Sequence, residues 1–444
     1  MIMKNFRLLS LSIAIGAAFA SPVRAQSLVD LYELARAYDA SYQSAKAQYD
    51  ANMYKADQAK ANLLPSVTMT VRDVNTQYSV DAGGTKQDRG FDFQEARVDA
   101  TQPLYRPGNV ASYDQGMALV DLAQAQLLAA EQDLIVRVSQ AYFDVLSAQD
   151  TLTFVQAQKT ATAEQLASAK RNFEVGTATI TDTREAQARY DLVIAQEIAA
   201  DNDLHVKKLA LDQLVGKANT DPKPLAVATT LPELLPADVN AWVQQAQEVN
   251  PVIKQTKIAL DVAKLETKKS YAGHKPTLDL NASYSRARNI NGTALSNVDS
   301  SVNATTVGVQ LNVPLFAGFA TQNRVRETLS LEDKASADLD AAQRTVAQGT
   351  RTAYFGVVSG QGQVKALEAA EASSQSALDA NKLGYQVGVR INIDVLNSQS
   401  QLYQTKRDLA KARYDVLVGG LKLRQANGSL NSNDLQAVNA LLAR

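Results

Sequence analysis

The second half of this chain restates the first, and that duplication limits its possible folds more than composition does. Leu64-Pro65 returns as Lys275-Pro276 and Pro103-Leu104-Tyr105 as Pro314-Leu315-Phe316, at an offset of 211 residues. Further on, Ala141-Tyr142-Phe143 returns as Ala353-Tyr354-Phe355, Phe173-Glu174-Val175-Gly176 as Tyr385-Gln386-Val387-Gly388, and Asp182 as Asp394, now at an offset of 212. One residue of difference arising between Tyr105 and Ala141 accounts for the change. Matches in one order over nearly the whole length mark a duplicated structural unit. The expected organisation is a first repeat over residues 26–219, a Pro- and Thr-containing linker over 220–237, a second repeat over 238–430 and a C-terminal segment over 431–444.

Each repeat has the same internal order. A helix of about 35 residues is expected from Ser27 towards Ala61 and from Asp238 towards Ala272, with Ser27 and Asp238 as N-caps. Strands follow. Val67, Met69 and Val71 alternate with Thr68, Thr70 and Arg72; Leu278, Leu280, Ala282 and Tyr284 alternate with Asp279, Asn281, Ser283 and Ser285; and Val307, Val309, Leu311 and Val313 alternate with Gly308, Gln310 and Asn312. An apolar-out, polar-in alternation over about ten residues is the signature of a barrel strand in a membrane. A soluble sandwich carries the same alternation, but two strands per repeat cannot build one. The polar stretches Asp73 to Gly90 and Ala287 to Asn303 are expected to be exposed loops, and Tyr105 and Phe316 to be aromatic anchors at the membrane interface.

Beyond the strands the helical pattern is very long. No proline interrupts Asn109 to Phe173, and Val120, Leu127, Leu134 and Ala141 fall seven apart, as in a coiled-coil seam. At about 1.5 Å per residue this stretch extends roughly 97 Å as helix. Val175-Gly176 breaks the pattern, a second helix returns from about Ile180 to Leu214, and the second repeat does the same around Val387-Gly388, ending near Gly428 where the first ends at Gly216. Average helices run about 11 or 12 residues. Hairpins this long point outward from a membrane rather than into a compact core.

The N-terminus reads as a secretory signal over residues 1–25: Lys4 and Arg7, an apolar stretch from Leu8 to Ala20, and Val23-Arg24-Ala25 before the expected mature start at Gln26. Lys plus Arg number 45 against 46 for Asp plus Glu, so nucleic acid is not an expected partner. The absence of cysteine from all 444 residues excludes disulfides and thiolate metal sites. After the signal no run of 18 apolar residues occurs, which leaves a closed β-barrel as the way to span a membrane. Four strands cannot close one, since the smallest bacterial barrels have about eight. Several chains must contribute.

The duplication, the two strands per repeat and the Val-Gly turns resemble the TolC family of outer-membrane efflux and secretion proteins, over essentially all of Gln26 to Arg444. The most specific pieces are Phe173-Glu174-Val175-Gly176 with Ile180-Thr181-Asp182, Tyr385-Gln386-Val387-Gly388 with Ile393-Asp394-Val395-Leu396, and Ala412-Arg413-Tyr414. The resemblance implies a mainly α protein with a membrane β-barrel. In that architecture each protomer of a homotrimer gives four strands to one barrel in outer-membrane lipid, and long periplasmic helical hairpins form an α-barrel. It implies a role as the exit duct of a tripartite efflux pump or type I secretion system, with a periplasmic adaptor and an inner-membrane pump of RND or ABC type as partners. It implies an aperture lock at Thr181, Asp182, Tyr385 and Arg390, an acidic constriction at Asp394, and adaptor docking at the tips Val175, Gly176, Val387 and Gly388. Asn397 departs from the family where a second acidic ring is expected.

The residues themselves agree on where to look. Tyr385 stands where the first repeat has Phe173 and Arg390 where it has Ala178, so the second tip gains a hydroxyl and a five-donor cation. His205 and His274, the two histidines, lack ligand-like neighbours, and no nucleophile elbow or phosphate loop occurs. No enzyme activity, metal or cofactor is expected. A periplasmic coiled-coil scaffold would account for the helices but not for the alternating strands. The cargo is not encoded in these patterns.

Overall fold

The computed structural model describes residues 25–226, 231–293, 296 and 298–443; the expected signal lies outside them except for its last residue. The elements run α1 (Leu28–Tyr38), α2 (Ala40–Ala61), β1 (Ser66–Ala82), β2 (Thr85–Tyr105), α3 (Pro107–Glu174), α4 (Ile180–Val215), α5 (Val239–Val249), α6 (Pro251–Ala272), β3 (Thr277–Ile290), β4 (Ser300–Asn312), α7 (Ala320–Gln386), α8 (Asn392–Asn427) and α9 (Ser432–Asn439). The duplication survives in the lengths. The paired helices have 11 and 11, 22 and 22, 68 and 67, and 36 and 36 residues.

Two compact units result, and neither is a repeat. One gathers Ala45–Leu128 and Pro251–Arg344, the other the segment ending at Ser44, Ala129–Asn250 and the chain from Thr345 onward. Each repeat therefore leaves the second unit, supplies a hairpin and helices to the first, and returns.

In the unit that carries the sheet, four antiparallel strands lie in the order β1-β2-β3-β4, leaving β1 and β4 as open edges. Val67, Met69, Val71, Val307, Val309 and Leu311 stand exposed on one face. Thr68 opposite Asp99, Thr70 opposite Arg97 and Ser283 opposite Thr306 occupy the other. Arg106, at the start of α3, holds Asp279 of β3 through two bonds of 2.7 Å, and Gly116 lets α3 approach α2, where an added Cβ would lie 3.3 Å from the Ala56 Cα. Among the described residues no helix is long and apolar enough to cross a membrane.

Two expectations are corrected here. The stretch Asp73 to Gly90 is not a loop: β1 and β2 pair without interruption from Ser66 opposite Thr101 to Ala82 opposite Thr85, turning only at Gly83-Gly84, both at positive φ. Its polarity lies mainly on one side of the ribbon, where Asp73, Asn75, Gln77 and Ser79 are exposed, and a two-residue Gly-Gly turn suits the strand twist. Of the stretch Ala287 to Asn303, residues 287–290 and 300–303 belong to β3 and β4, which leaves 291–299 between the strands. The single helices expected over Ser27–Ala61 and Asp238–Ala272 are each two helices. Asn250 is extended because it precedes Pro251, which then opens α6. Asp39 is extended (ψ 119°) because its carboxylate is engaged elsewhere, accepting from the Tyr42 amide at 2.8 Å and from Arg137 of α3 at 2.9 and 3.0 Å.

The bonds from Arg137 hold the buried Asp39 carboxyl below the usual carboxylate range. A carboxyl lowered on folding stabilises the fold above its unfolded value, about 3.9, and that stabilisation fades as pH falls through the lower folded value. Asp39→Ala is expected to cost about 1.5–3 kcal/mol, the scale of hydrogen bonds to charged groups. It should also lower the helical melting midpoint followed by circular dichroism at pH 7, with the gap to wild type closing in strong acid.

In the helical unit, Val155, Val193 and Ala200 seam α3 to α4, and Val364, Leu409, Ala412 and Val416 seam α7 to α8. The C-terminus and linker wrap its side: Gln26 bridges Pro222, Leu225 bridges Leu442, and Trp242 donates to the Pro236 carbonyl at 2.8 Å. Gly216 closes α4 at φ +69°, where an added Cβ would run into the Tyr38 ring at 2.4 Å. Tyr414 stacks on Phe143 of α3 at 5.6 Å and donates to Asp150 at 2.6 Å, tying the two hairpins together midway. Burial pushes the Asp150 carboxyl up, against the pull of that bond.

Candidate functional site at the hairpin turns

The two hairpin turns share one backbone. In the first, Val175 donates to Arg171 (3.1 Å), Gly176 to Phe173 (3.0 Å), and Thr177 and Ala178 both to the Asn172 carbonyl (2.8 and 3.1 Å). In the second, Val387 donates to Leu383 (3.1 Å), Gly388 to Tyr385 (3.1 Å), and Val389 and Arg390 both to the Gly384 carbonyl (2.8 and 3.1 Å). Gly176 and Gly388 sit at φ +80° and +78°, the left-handed position that ends a helix.

The side chains built on this common frame are committed differently. Thr179 caps α4 and Asp182 completes its capping box, the Asp182 carboxylate accepting from the Thr179 amide at 2.9 Å and hydroxyl at 2.7 Å. At the matching place before α8 stands Ile391, which makes no side-chain cap. Asp394, the counterpart of Asp182, is thereby released from capping and lies 3.6 Å from Arg390. Arg390, in the turn, lies across the end of α7 at Gly384, where a Cβ would come within 2.7 Å of the Arg390 Cγ. The first repeat has Asn172 at that position, and its amide reaches across to donate to the Tyr385 hydroxyl at 3.1 Å.

Further bonds join the hairpins near their ends. Gln165 donates to the buried Asn392 at 2.5 Å, Asn392 donates to the Asp182 carbonyl at 3.3 Å, and Arg189 donates to Asn397 at 3.0 Å. Between them lies a cavity of about 390 Å³ lined by Gln165, Ser168, Asn172, Lys382, Tyr385 and Val395, among others. Of the expected lock residues, Tyr385 meets the first hairpin within the protomer and Arg390 meets Asp394. The Asp182 carboxylate is occupied by its cap. Thr181 is exposed and, among the described residues, makes no side-chain hydrogen bond within the protomer; the hydroxyl at this turn that bonds Asp182 is that of Thr179. The tips themselves are apolar and exposed: Val175 is 72% exposed, Val387 65%, Val389 79% and Ile391 61%.

Asn172, Thr179, Gly384, Ile391 and Asn392 are absent from the sequence expectation. The repeat itself carried the signal. Aligned at 212, Asn172 faces Gly384, Thr179 faces Ile391 and Ile180 faces Asn392, and each mismatch is one of the differences just described.

A sheet apolar on one face and open at both edges, joined in one chain to two very long hairpins with shaped turns, defines a subunit of an oligomeric outer-membrane duct. The chain belongs to the outer membrane efflux protein family, whose profile matches residues 31–217 and 242–429. It is similar to the outer membrane protein TolC of Vibrio cholerae, at 34% identity over 443 residues, covering 99% of this chain and 98% of that one. It is also similar to the alkaline protease secretion protein AprF of Pseudomonas aeruginosa, at 32% over 422 residues, covering 94% and 87%. The CmeC outer membrane channel of Campylobacter jejuni has the same fold, with a TM-score of 0.76 at 14% identity over 100% of this chain and 98% of that one. The protein is an outer-membrane exit duct extending into the periplasm. Members of its family are channels rather than enzymes, and work as trimers with adaptor and inner-membrane pump partners.

Proposed function

We propose that three copies of this chain close one twelve-stranded barrel and that the tips of their second hairpins hold the periplasmic aperture shut. The observation that carries this reading is the pair of turns with one backbone and two sets of commitments. Ile391 in place of Thr179 removes a cap, which leaves Asp394 and Arg390 available at the end of α8 while Asp182 stays local. Tyr385, tied to Asn172, holds the second hairpin against the first, and Arg390 in this reading reaches the neighbouring copy. Thr181, exposed, faces that neighbour, Asp394 rings the lumen, and Asn397 makes the ring singly acidic.

The exposed Val175, Val387, Val389 and Ile391 form an apolar crown around Gly176 and Gly388, and a surface of that kind fits a protein partner. In this reading a periplasmic adaptor seats there, and an inner-membrane pump of RND or ABC type delivers the cargo, drugs in the first case and secreted protein in the second. Gly388→Trp places a bulky side chain where φ is +78°, a conformation that costs a non-glycine residue about 1–2 kcal/mol. That is too little to unfold hairpins of 67 and 36 residues. The variant should reach the outer membrane in normal amount and fail to export. Normal export at normal protein level would remove the tip from the docking surface.

A further inference from the structure

The β1–β2 ribbon exchanges its faces. At the level of the lipid-type band, the face carrying Val67, Met69 and Val71 is apolar, while Thr68, Thr70 and Arg72, paired with Asp99, Arg97 and Glu95, make the other face polar. One step further along, with the register unbroken, the polarity reverses. Asp73 opposite Gln94, Asn75 opposite Asp92 and Ser79 opposite Asp88 now occupy the first face, where Asn75 donates to Asp92 at 2.6 Å. The second face carries Val74 opposite Phe93, Thr76 opposite Phe91 and Tyr78 opposite Arg89, with Tyr78 and Phe91 edge to face at 6.0 Å. The β3–β4 ribbon also changes sides, with Arg286 and Arg288 on its first face and Ala287 opposite Val302 on its second, but its second face carries no aromatic residue.

Because the first face meets lipid lower down, barrel closure turns the second face towards the axis. Above the band that face is aromatic, on a two-stranded ribbon, which is at best marginally stable alone in water. Among the described residues, β1 pairs with β2 alone, and β2 with β1 and β3. What lies across the axis, in a trimer, is the same face of the other copies. We propose that the three β1–β2 ribbons lean together through Val74, Tyr78, Phe91 and Phe93, forming an apolar closure over the outer mouth of the barrel. This rests on the trimer proposed above. The occupant of each face is a second copy of this chain. The polar first face, with its Asn75–Asp92 pairing, stays in water.

The chain has no cysteine, so single thiols report cleanly. Phe91→Cys and Phe93→Cys place a thiol on the inward face and Asn75→Cys on the outward one. In intact cells, oxidation or a short bismaleimide should convert the first two into dimers on denaturing gels and leave Asn75→Cys monomeric. Phe91→Cys and Phe93→Cys should also resist a bulky impermeant maleimide that labels Asn75→Cys. Unheated gels of the same preparations report the trimer separately. Trimers in which neither inward thiol crosslinks overturn the closure alone, crosslinks from the inward thiols to a different protein overturn it in favour of an external partner, and an absence of trimers overturns the reading on which it rests.

Discussion

Tyr385→Phe combined with Arg390→Ala raises the conductance of the channel in planar bilayers and sensitises cells to antibiotics too large for the resting pore. Both substitutions install side chains of the first repeat on a backbone that already accepts them: Phe173 and Ala178 sit in a turn with the same four hydrogen bonds. Folding should therefore be undisturbed. The Tyr385 bond to Asn172 is neutral, which sets its net worth near 1 kcal/mol. The Arg390 guanidinium is more than half exposed, and an exposed ion pair from it to the neighbouring copy contributes about 0–1 kcal/mol. Summed over three copies, about 3–6 kcal/mol leaves the closed state, and 1.4 kcal/mol is a factor of about ten, so a rarely open channel becomes mostly open. Removing Arg390 also leaves Asp394 unneutralised near the axis, so the double variant should favour cations more strongly, whereas Asp394→Asn should weaken cation preference with little change in conductance. Unchanged conductance in the double variant places the closure elsewhere. Unchanged selectivity in Asp394→Asn takes that carboxylate out of the lumen.

Val307→Arg removes the trimer from the outer membrane, and Thr306→Arg, one residue away, does not. Val307 is 70% exposed on the face shared with Val309 and Leu311, whereas Thr306 pairs with Ser283 on the face shared with Asn281 and Gln310. An arginine facing lipid near the membrane midplane costs about 2–4 kcal/mol, incurred once per copy and at strand β4, whose open edge must find a neighbour. An arginine facing water in the lumen meets no such penalty and should alter ion selectivity instead. Unheated gels of outer-membrane fractions decide the matter. Equal trimer yields from the two variants would mean that the faces are assigned the wrong way round or that the sheet does not meet lipid.

The long elements were readable because they are made by repetition. A proline-free heptad pattern from Asn109 to Phe173 and a Val-Gly stop define α3 within two residues at its start and one at its end, and period-two alternation located β3, β4 and the first part of β1. What could not be read depends on partners distant in the chain. Asp39 ends α1 because Arg137 of α3 holds its carboxylate; nothing within Ser27–Ala61 announces that. The strands run past their apolar stretch because Asp73–Gly90 is polar on one side only, and the aromatic side was spread over Val74, Tyr78, Phe91 and Phe93, too thinly for a pattern search. At the tips, Tyr385 and Arg390 were visible as repeat mismatches, but their partners Asn172 and Gly384 gain meaning only once the two turns are overlaid in space.

The central claim is that four strands of this chain are one part of a shared barrel. The most direct measurement is the mass of the intact particle extracted from outer membranes in mild detergent, by native mass spectrometry. Three copies per particle, with the β1 and β4 edges thereby closed, is the predicted result. A particle containing one copy, or chain recovered only from the soluble periplasmic fraction, would contradict it.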